Sequence, residues 1–454
     1  MNRIFEILKG RKRTQNMPVN KMSAAIAEWT ALYENKQPFY GGSLNLAAAV
    51  CSELARLTTI ELESEITGSD RAAYLNEQYQ SVLKKARVFV EYACAKGGVI
   101  LKPFVSGGRI CTSIVQADGF MPTAFSPEGE LIGAVFFDSL QRDGKYYTRL
   151  EEHILKGDTY YITNTAYVGR FPEDMGKEIP LSSVCEWAEL EKSCRIENVK
   201  RPLFAYLKMP SANTTDSSSP LGASAFSGAV ELIKDAYRQY SHLLWEFESG
   251  KRALFLDECA VRRDEDGNAS LPEKRLYRML STGDDTLFED WSPELREQHI
   301  LSGLDRILRS IEFNCGLAYG TLSNPQSVDK TAEEVRASKQ RSYATVCDIQ
   351  NALKKALYEL IEAMDIYCDI YSLAPSGEYS VSFNLDDSII CDRSAEFSEK
   401  MLLLEKSIIA PWEMRSWYFN EDEAEAKKMI GEINELQKRN NLAQKGTGIQ
   451  TTAL

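Results

Sequence analysis

Apolar residues recur in steps of three and four from Ser23 to about Ala95, the spacing of one helix face. Trp29, Leu32 and Tyr33 fall together in a first segment, Ala49, Cys51, Leu54 and Leu57 in a second, and Leu75, Tyr79, Val82 and Leu83 in a third. From Gly97 to about Val168 the period changes to two, with strand formers at Val99, Leu101, Phe104 and Ala134-Val135-Phe136-Phe137. Turn signals interrupt them at Ser106-Gly107-Gly108, Pro127-Glu128-Gly129, Arg142-Asp143-Gly144 and Lys156-Gly157-Asp158. Short strands joined by such turns predict an antiparallel meander.

The polar run Ser211 to Pro220 marks a boundary. Ser219-Pro220 reads as an N-cap followed by proline at the first helical position. It predicts a helix to Gly250, with apolar positions Phe226, Val230, Ile233, Tyr237, Tyr240, Leu244 and Phe247. A charged, turn-rich stretch follows, centred on Arg262-Arg263-Asp264-Glu265-Asp266-Gly267. Ser292-Pro293 repeats the cap signature and predicts a second helix, carrying Ile300, Leu304, Ile307 and Ile311 to a stop near Gly316. After the polar loop Leu317 to Lys330, Thr331-Ala332-Glu333-Glu334 forms a capping box. It opens a helix of about forty residues, ~60 Å long, through Val346, Ile349, Leu353, Leu357, Leu360, Met364 and Tyr367 to Tyr371. A strand at Tyr379–Phe383 precedes Asp386-Asp387, and helices finish the chain. Long helices with narrow apolar stripes need partners beyond their own chain, so assembly is expected.

Composition narrows the classes. The 454 residues exceed what one core usually fills. Hydrophobic residues are 44% and charged residues 26%, ordinary for globular proteins, which excludes wholesale disorder. A net charge of −13 excludes a protein that coats DNA through cations, though not one that surrounds DNA without gripping it. The ten cysteines are scattered, with no C-x-x-C pair and only three distant histidines, so buried reduced thiols are expected rather than a zinc site. No apolar run reaches the ~18–20 residues that span a bilayer. Near the start Ile4, Phe5, Ile7 and Leu8 precede Arg11-Lys12-Arg13, the reverse of a signal peptide. That order predicts a basic arm that docks on a partner, in a chain made in the cytosol.

No phosphate-binding glycine loop or nucleophile elbow is present, so no catalytic residue and no cofactor are expected. Asp264, Asp266, Gly267 and Glu273 match parts of a calcium loop, but Arg262 stands at its first ligand position. Asp386-Asp387 resembles the start of a two-metal nuclease site. Adjacent strand residues face opposite sides, however, so the nuclease stands as the weaker alternative. Leu244-Trp245-Glu246-Phe247 reads as a packing face rather than a stacking platform for single-stranded nucleic acid.

An ordered set of segments resembles the portal proteins of tailed bacteriophages, in the group of long-tailed phages and prophages of Gram-positive bacteria. They are NLAAAVCSELARLTTIELESEI from Asn45, EYACAKGGVILKPFV from Glu91, VQADGFMPTAF from Val115, LWEFESG from Leu244, GLAYGTLS from Gly316, KTAEEVRASKQRSYATVCDIQNAL from Lys330 and DDSII from Asp386. The resemblance implies an α+β subunit with an antiparallel β wing, long paired stem helices, a small α/β clip and a helical crown. The corresponding divisions are a basic arm (1–22), wing (23–218), first stem helix (219–250), clip (251–291), second stem helix (292–316), tunnel loop (317–330), long wing helix and returning strand (331–391), and crown with tail (392–454).

It further implies a ring of about twelve copies at a capsid vertex. Double-stranded DNA would be packaged and ejected through that ring. Partners would be the terminase large subunit, a head-completion or adaptor protein, and the major capsid and scaffold proteins, with no membrane involved. The resemblance points to Asn324, Gln326, Ser327 and Lys330 at the tunnel, and to Arg262, Arg263, Asp264 and Asp266 as the clip's partner-binding residues. A helical minor capsid or adaptor protein without a tunnel is the alternative. The crown is short for the family, and the basic arm has no role to carry over.

Overall fold

The computed structural model describes residues 19–36, 44–171, 174–251, 253–257, 277–280, 288–291, 294–324, 332–385, 393–419, 422–431 and 433. They fall in two units, Met1–Leu385 and Asp386–Leu454. The first opens with helices α1 (Val19–Tyr33) and α2 (Leu46–Thr59), strand β1 (Leu62–Gly68), and helices α3 (Asp70–Leu83) and α4 (Ala86–Lys96). The helical stripes legible in the sequence are the buried ones: Trp29, Leu32, Leu54, Leu75 and Tyr79 are at most 1% exposed. Each such burial stabilises the fold by ~1.5–3 kcal/mol relative to exposure. Strand β1 interrupts a stretch whose spacing predicts helices alone. Its alternation of Leu62, Ser64 and Ile66 with Glu63 and Glu65 is short, and its partner lies far along the chain.

Helix α4 ends at Gly97, where φ is +86° and a Cβ would sit 2.4 Å from the Gly222 carbonyl oxygen, so only glycine fits. The predicted meander follows. Strands β2 (Gly98–Ser106) and β3 (Arg109–Gln116) form an antiparallel sheet with β10 (Ala205–Lys208), in the order β10-β2-β3. A six-stranded sheet runs β4 (Phe120–Phe125), β5 (Leu131–Arg142), β6 (Lys145–Lys156), β7 (Thr159–Gly169) and β8 (Lys177–Ile179), with β9 (Ser193–Glu197) also paired to β7. All four turn signals fall where the chain reverses, and each holds a residue of positive φ: Gly107, Gly129, Asp143 and Gly157.

The next helix, α5, spans Val230–Ser249 rather than starting at Ser219-Pro220. The intervening backbone is committed to tertiary contacts that a helix would break. Ala225 donates its N–H to the Cys94 carbonyl at 2.8 Å, and Gly222 packs against Gly97. Strands β11 (Ala253–Asp257), β12 (Tyr277–Leu280) and β13 (Phe288–Trp291) form a small sheet, with β11 parallel to β12 and antiparallel to β13. Helix α6 covers Glu297–Asn314, beginning after the expected cap at Ser292-Pro293, which lies outside the described residues.

Helix α7 (Ala332–Tyr371) has the expected 40 residues. Its apolar stripe is inside the core: Val346, Ile349, Leu353, Leu357, Leu360 and Met364 are at most 2% exposed. Strand β14 (Tyr379–Leu385) returns to pair antiparallel with β1, Ile66 opposite Val381. The fold is thus α+β, with one principal core shared by α1–α5, β2, β10 and α7.

The second unit is helical in most of its described residues, with α8 (Arg393–Glu405), α9 (Pro411–Phe419) and helix from 423 to 431. Among the described residues no helix is long and apolar enough to cross a membrane. Cys51, Cys94, Cys315 and Cys368 are buried as expected, but Cys185 and Cys194 are exposed, because residues 185–197 are largely a surface segment.

Candidate functional site at the helix pair and its loop

Helices α5 and α6 lie antiparallel. Glu246 near the end of α5 meets Arg296 at the start of α6, and Gly228 just before α5 faces Asn314 at the end of α6. No side chain of α6 itself caps its start. Glu246, 6% exposed, does so from the other helix. Its Oε1 accepts the Arg296 backbone N–H at 3.0 Å, and its Oε2 accepts the Arg296 guanidinium at 2.8 Å. These charge-assisted bonds, the side-chain one foremost, draw the Glu246 carboxyl down from 4.5 to about 2. A Cβ at Gly250 would lie 2.2 Å from Leu295, so the helices meet closely at this end.

The predicted stripe on α5 drifts by one residue toward its end. Leu243 and Glu246 face inward, whereas Trp245 is 64% and Phe247 43% exposed. Leu295, Leu301 and Phe313 beside or on α6 are also exposed. The pair therefore presents uncovered aromatic and aliphatic surface, as interaction faces do.

At the other end of the pair, α6 holds the loop that follows it. Glu312, buried at 0% exposure, accepts backbone N–H groups from Gly320, Leu322 and Ser323. It also accepts the Ser323 hydroxyl at 2.9 Å. Asp305, about two turns earlier on the same helix, accepts the Asn324 N–H at 2.8 Å and pairs with Arg309 at 2.7 Å. The guanidinium of Arg341 on α7 lies 4.1 Å from the Phe313 ring centre and 5.9 Å from that of Tyr319. At such distances cation–π attraction ties the loop base to both helices. The first half of the loop is therefore fixed in place, with the backbone amides of residues 320–324 all partnered.

Of the residues expected at the tunnel, Asn324 is exposed at the end of this anchored segment. Gln326, Ser327 and Lys330 lie outside the described residues, as do Arg262, Arg263, Asp264 and Asp266 of the clip. Asp386, Asp387 and Glu273 also lie outside them. Among the described residues no group of three or more His, Cys, Asp or Glu is placed to hold a metal ion. The strands β11–β13 lie within the stretch 251–291 expected to form a clip. Sequence reasoning missed Glu312 and Asp305. The available signal was a carboxylate directly beside Ile311, on the apolar side of a helix just before a polar loop.

Comparison with known proteins adds to this geometry. No curated protein sequence matches the chain significantly. Among solved structures, the neck of a native GTA particle computed with C12 symmetry is similar, at 11% identity over 86% of this chain and 92% of that one. Its TM-score of 0.40 is too low for any inference. The family described as "Phage portal protein, SPP1 Gp6-like" matches residues 69–439, from the start of α3 to beyond the last described helix. With most of its 454 residues inside that match, the chain belongs to the SPP1 Gp6-like family of phage portal proteins, structural components of the virion at the head-tail connection.

Proposed function

We propose that this portal chain works without catalysis or cofactor, as one copy in a closed ring through which double-stranded DNA is packaged and ejected. The observation that carries the reading is the anchored loop between two long helices. Glu312 and Asp305 fix residues 320–324, and the polar residues that follow in sequence, Gln326, Ser327 and Lys330, are the ones assigned to passing DNA. The exposed Trp245, Phe247 and Leu301 fit burial against neighbouring copies. A head-to-tail contact of this kind closes into a ring when its rotation allows.

A conduit must not grip. With a net charge of −13 the chain's carboxylates outnumber its cations, so its overall field repels phosphates. A single Lys330 per copy makes a small counterion-release contribution, so phosphates are touched and released. The sheet β11–β13 and the charged residues 262–266, which follow β11 in sequence, are the docking surface for the terminase large subunit during filling, and for a head-completion protein afterwards. Major capsid and scaffold proteins surround the ring at the capsid vertex.

Deleting residues 325–329 tests the loop assignment. Twelve chains of 51.1 kDa give a particle of about 613 kDa, and the deletion is expected to leave that mass and ring images unchanged while reducing packaged DNA at least tenfold. Normal packaging by the shortened chain would refute the assignment. A wild-type chain that stays a 51 kDa monomer with its scaffold protein present would refute the ring.

A further inference from the structure

A cleft of about 890 Å³ opens in the wing between the two sheets and the end of α7. That volume is in the usual range for a binding pocket, ~300–1,000 Å³. Its floor is charged and paired within itself, apart from the Arg149 Nε, which is buried without a hydrogen-bond partner. Lys102 donates to Glu151 at 2.6 Å, buried His153 bonds the same carboxylate at 2.7 Å, and Arg149 donates to Asn164 at 3.1 Å. Its walls are apolar and partly uncovered, with Phe104, Leu190, Ile370 and Tyr371 all exposed. At the rim stand three exposed carboxylates. Glu186 pairs with Arg142, while Glu189 and Glu191 have no ion pair among the described residues. The cleft calls for an occupant that is apolar along one part and cationic beyond it.

The chain carries one such segment outside the described residues. Ile4, Phe5, Ile7 and Leu8 fall at the spacing that apolar grooves recognise, and Arg11-Lys12-Arg13 follow directly. We propose that residues 3–13 of the same chain seat in this cleft, the apolar four against Phe104, Leu190, Ile370 and Tyr371 and the basic triplet at Glu189 and Glu191. From Leu8 to Val19, where the described chain starts, the extended backbone reaches roughly 35–40 Å. Covalent tethering supplies an effective concentration of order millimolar, so modest apolar contact and surface charge suffice to hold it. Complementary charge sets the register, because a reversed segment would place the cations on apolar walls.

The test uses the full-length chain. Cys194 lines the cleft and is exposed, so a Leu8→Cys variant treated with a short bismaleimide is expected to link position 8 to Cys194. Charge reversal by Glu189→Lys with Glu191→Lys should lower that yield at least fivefold, and should speed trypsin cleavage after Arg11, Lys12 and Arg13 to a similar degree. Tyr371→Ser, a change at the apolar wall, should do the same, with circular dichroism confirming that each variant is folded. The proposal is overturned if cleavage is equally fast in the unaltered chain, or if linking is unaffected by the rim substitutions. Links found only between light and heavy chains in an isotope-mixed sample would overturn the same-chain assignment. Protection of the triplet by added duplex DNA and not by the cleft would overturn it in favour of nucleic acid.

Discussion

Glu312 holds Ser323 at two points, accepting its backbone N–H at 2.9 Å on one carboxylate oxygen and its hydroxyl at 2.9 Å on the other. A charge buried in this way has no competing water, and its hydrogen bonds are paid for by the loop backbone itself. The helix therefore dictates where the loop departs. Glu312→Ala is expected to strand the Gly320, Leu322 and Ser323 amides and destabilise the chain by ~2–4 kcal/mol, read from urea unfolding. A loss below ~0.5 kcal/mol would show that the loop base finds other partners. In Glu312→Gln one carbonyl oxygen remains, and the loss should be intermediate.

Glu246 makes the far end of the same helix pair sensitive to acid. Its folded pKa, about 2, lies below the ordinary 4.5. The contribution is therefore complete above about pH 4.5 and disappears as pH falls through about 2. Hydrogen exchange at residues 296–300 should accelerate across that window, and in Glu246→Gln it should be fast throughout. An exchange profile indifferent to the substitution would mean that α6 is held by something other than this cap.

Gly97 and Gly222 approach too closely for any side chain. Gly97→Ala would combine a φ of +86° with a Cβ 2.4 Å from a carbonyl oxygen. Overpacking together with left-handed strain should cost at least ~2–3 kcal/mol, visible as a lowered thermal midpoint. An unchanged midpoint would imply that the 211–226 segment can lift away freely.

The uncovered faces of α5 and α6 should respond differently. Trp245→Ser with Phe247→Ser removes apolar surface that touches solvent in the single chain, so thermal stability should change by no more than ~0.5 kcal/mol. Native mass, by contrast, should fall from the ring toward the monomer. Rings of unaltered mass and stability would place the contact between copies elsewhere.

Much of this fold could be read from local pattern because local physics decided it. The stripe from Val346 to Met364 has one period and one buried face. Likewise the turns at Gly107, Gly129, Asp143 and Gly157 each require a backbone that their residues favour. What local pattern hid was set from a distance. Ser219-Pro220 has every mark of a helix start, yet contacts with the Cys94 carbonyl and Gly97 keep the next residues out of an α-helix until Val230. Strand β1 has too few alternating residues to outweigh the helices around it, and only β14 makes it a strand. The anchoring of the loop by Glu312 likewise depends on three-dimensional folding of Gly320 to Ser323 back onto α6, which spacing along the chain does not express. The cleft between the two sheets was invisible for the same reason, since its lining comes from strands, a surface segment and the end of α7.

The pairing of β1 with β14 also dictates an order of events at the ribosome. Ser64 and Ser382 are bonded across a separation of 318 residues. At ~5–20 residues per second, translation leaves β1 without its partner for roughly 15–65 s after it emerges. Throughout that interval the nascent chain presents an unclaimed strand edge, the kind that captures neighbouring chains. Glu63 and Glu65 put negative charge along it, and Gly68 at its end shortens it. Among the described residues neither glutamate makes an ion pair, and their like charge would oppose edge-to-edge pairing of β1 between identical nascent chains on one polysome.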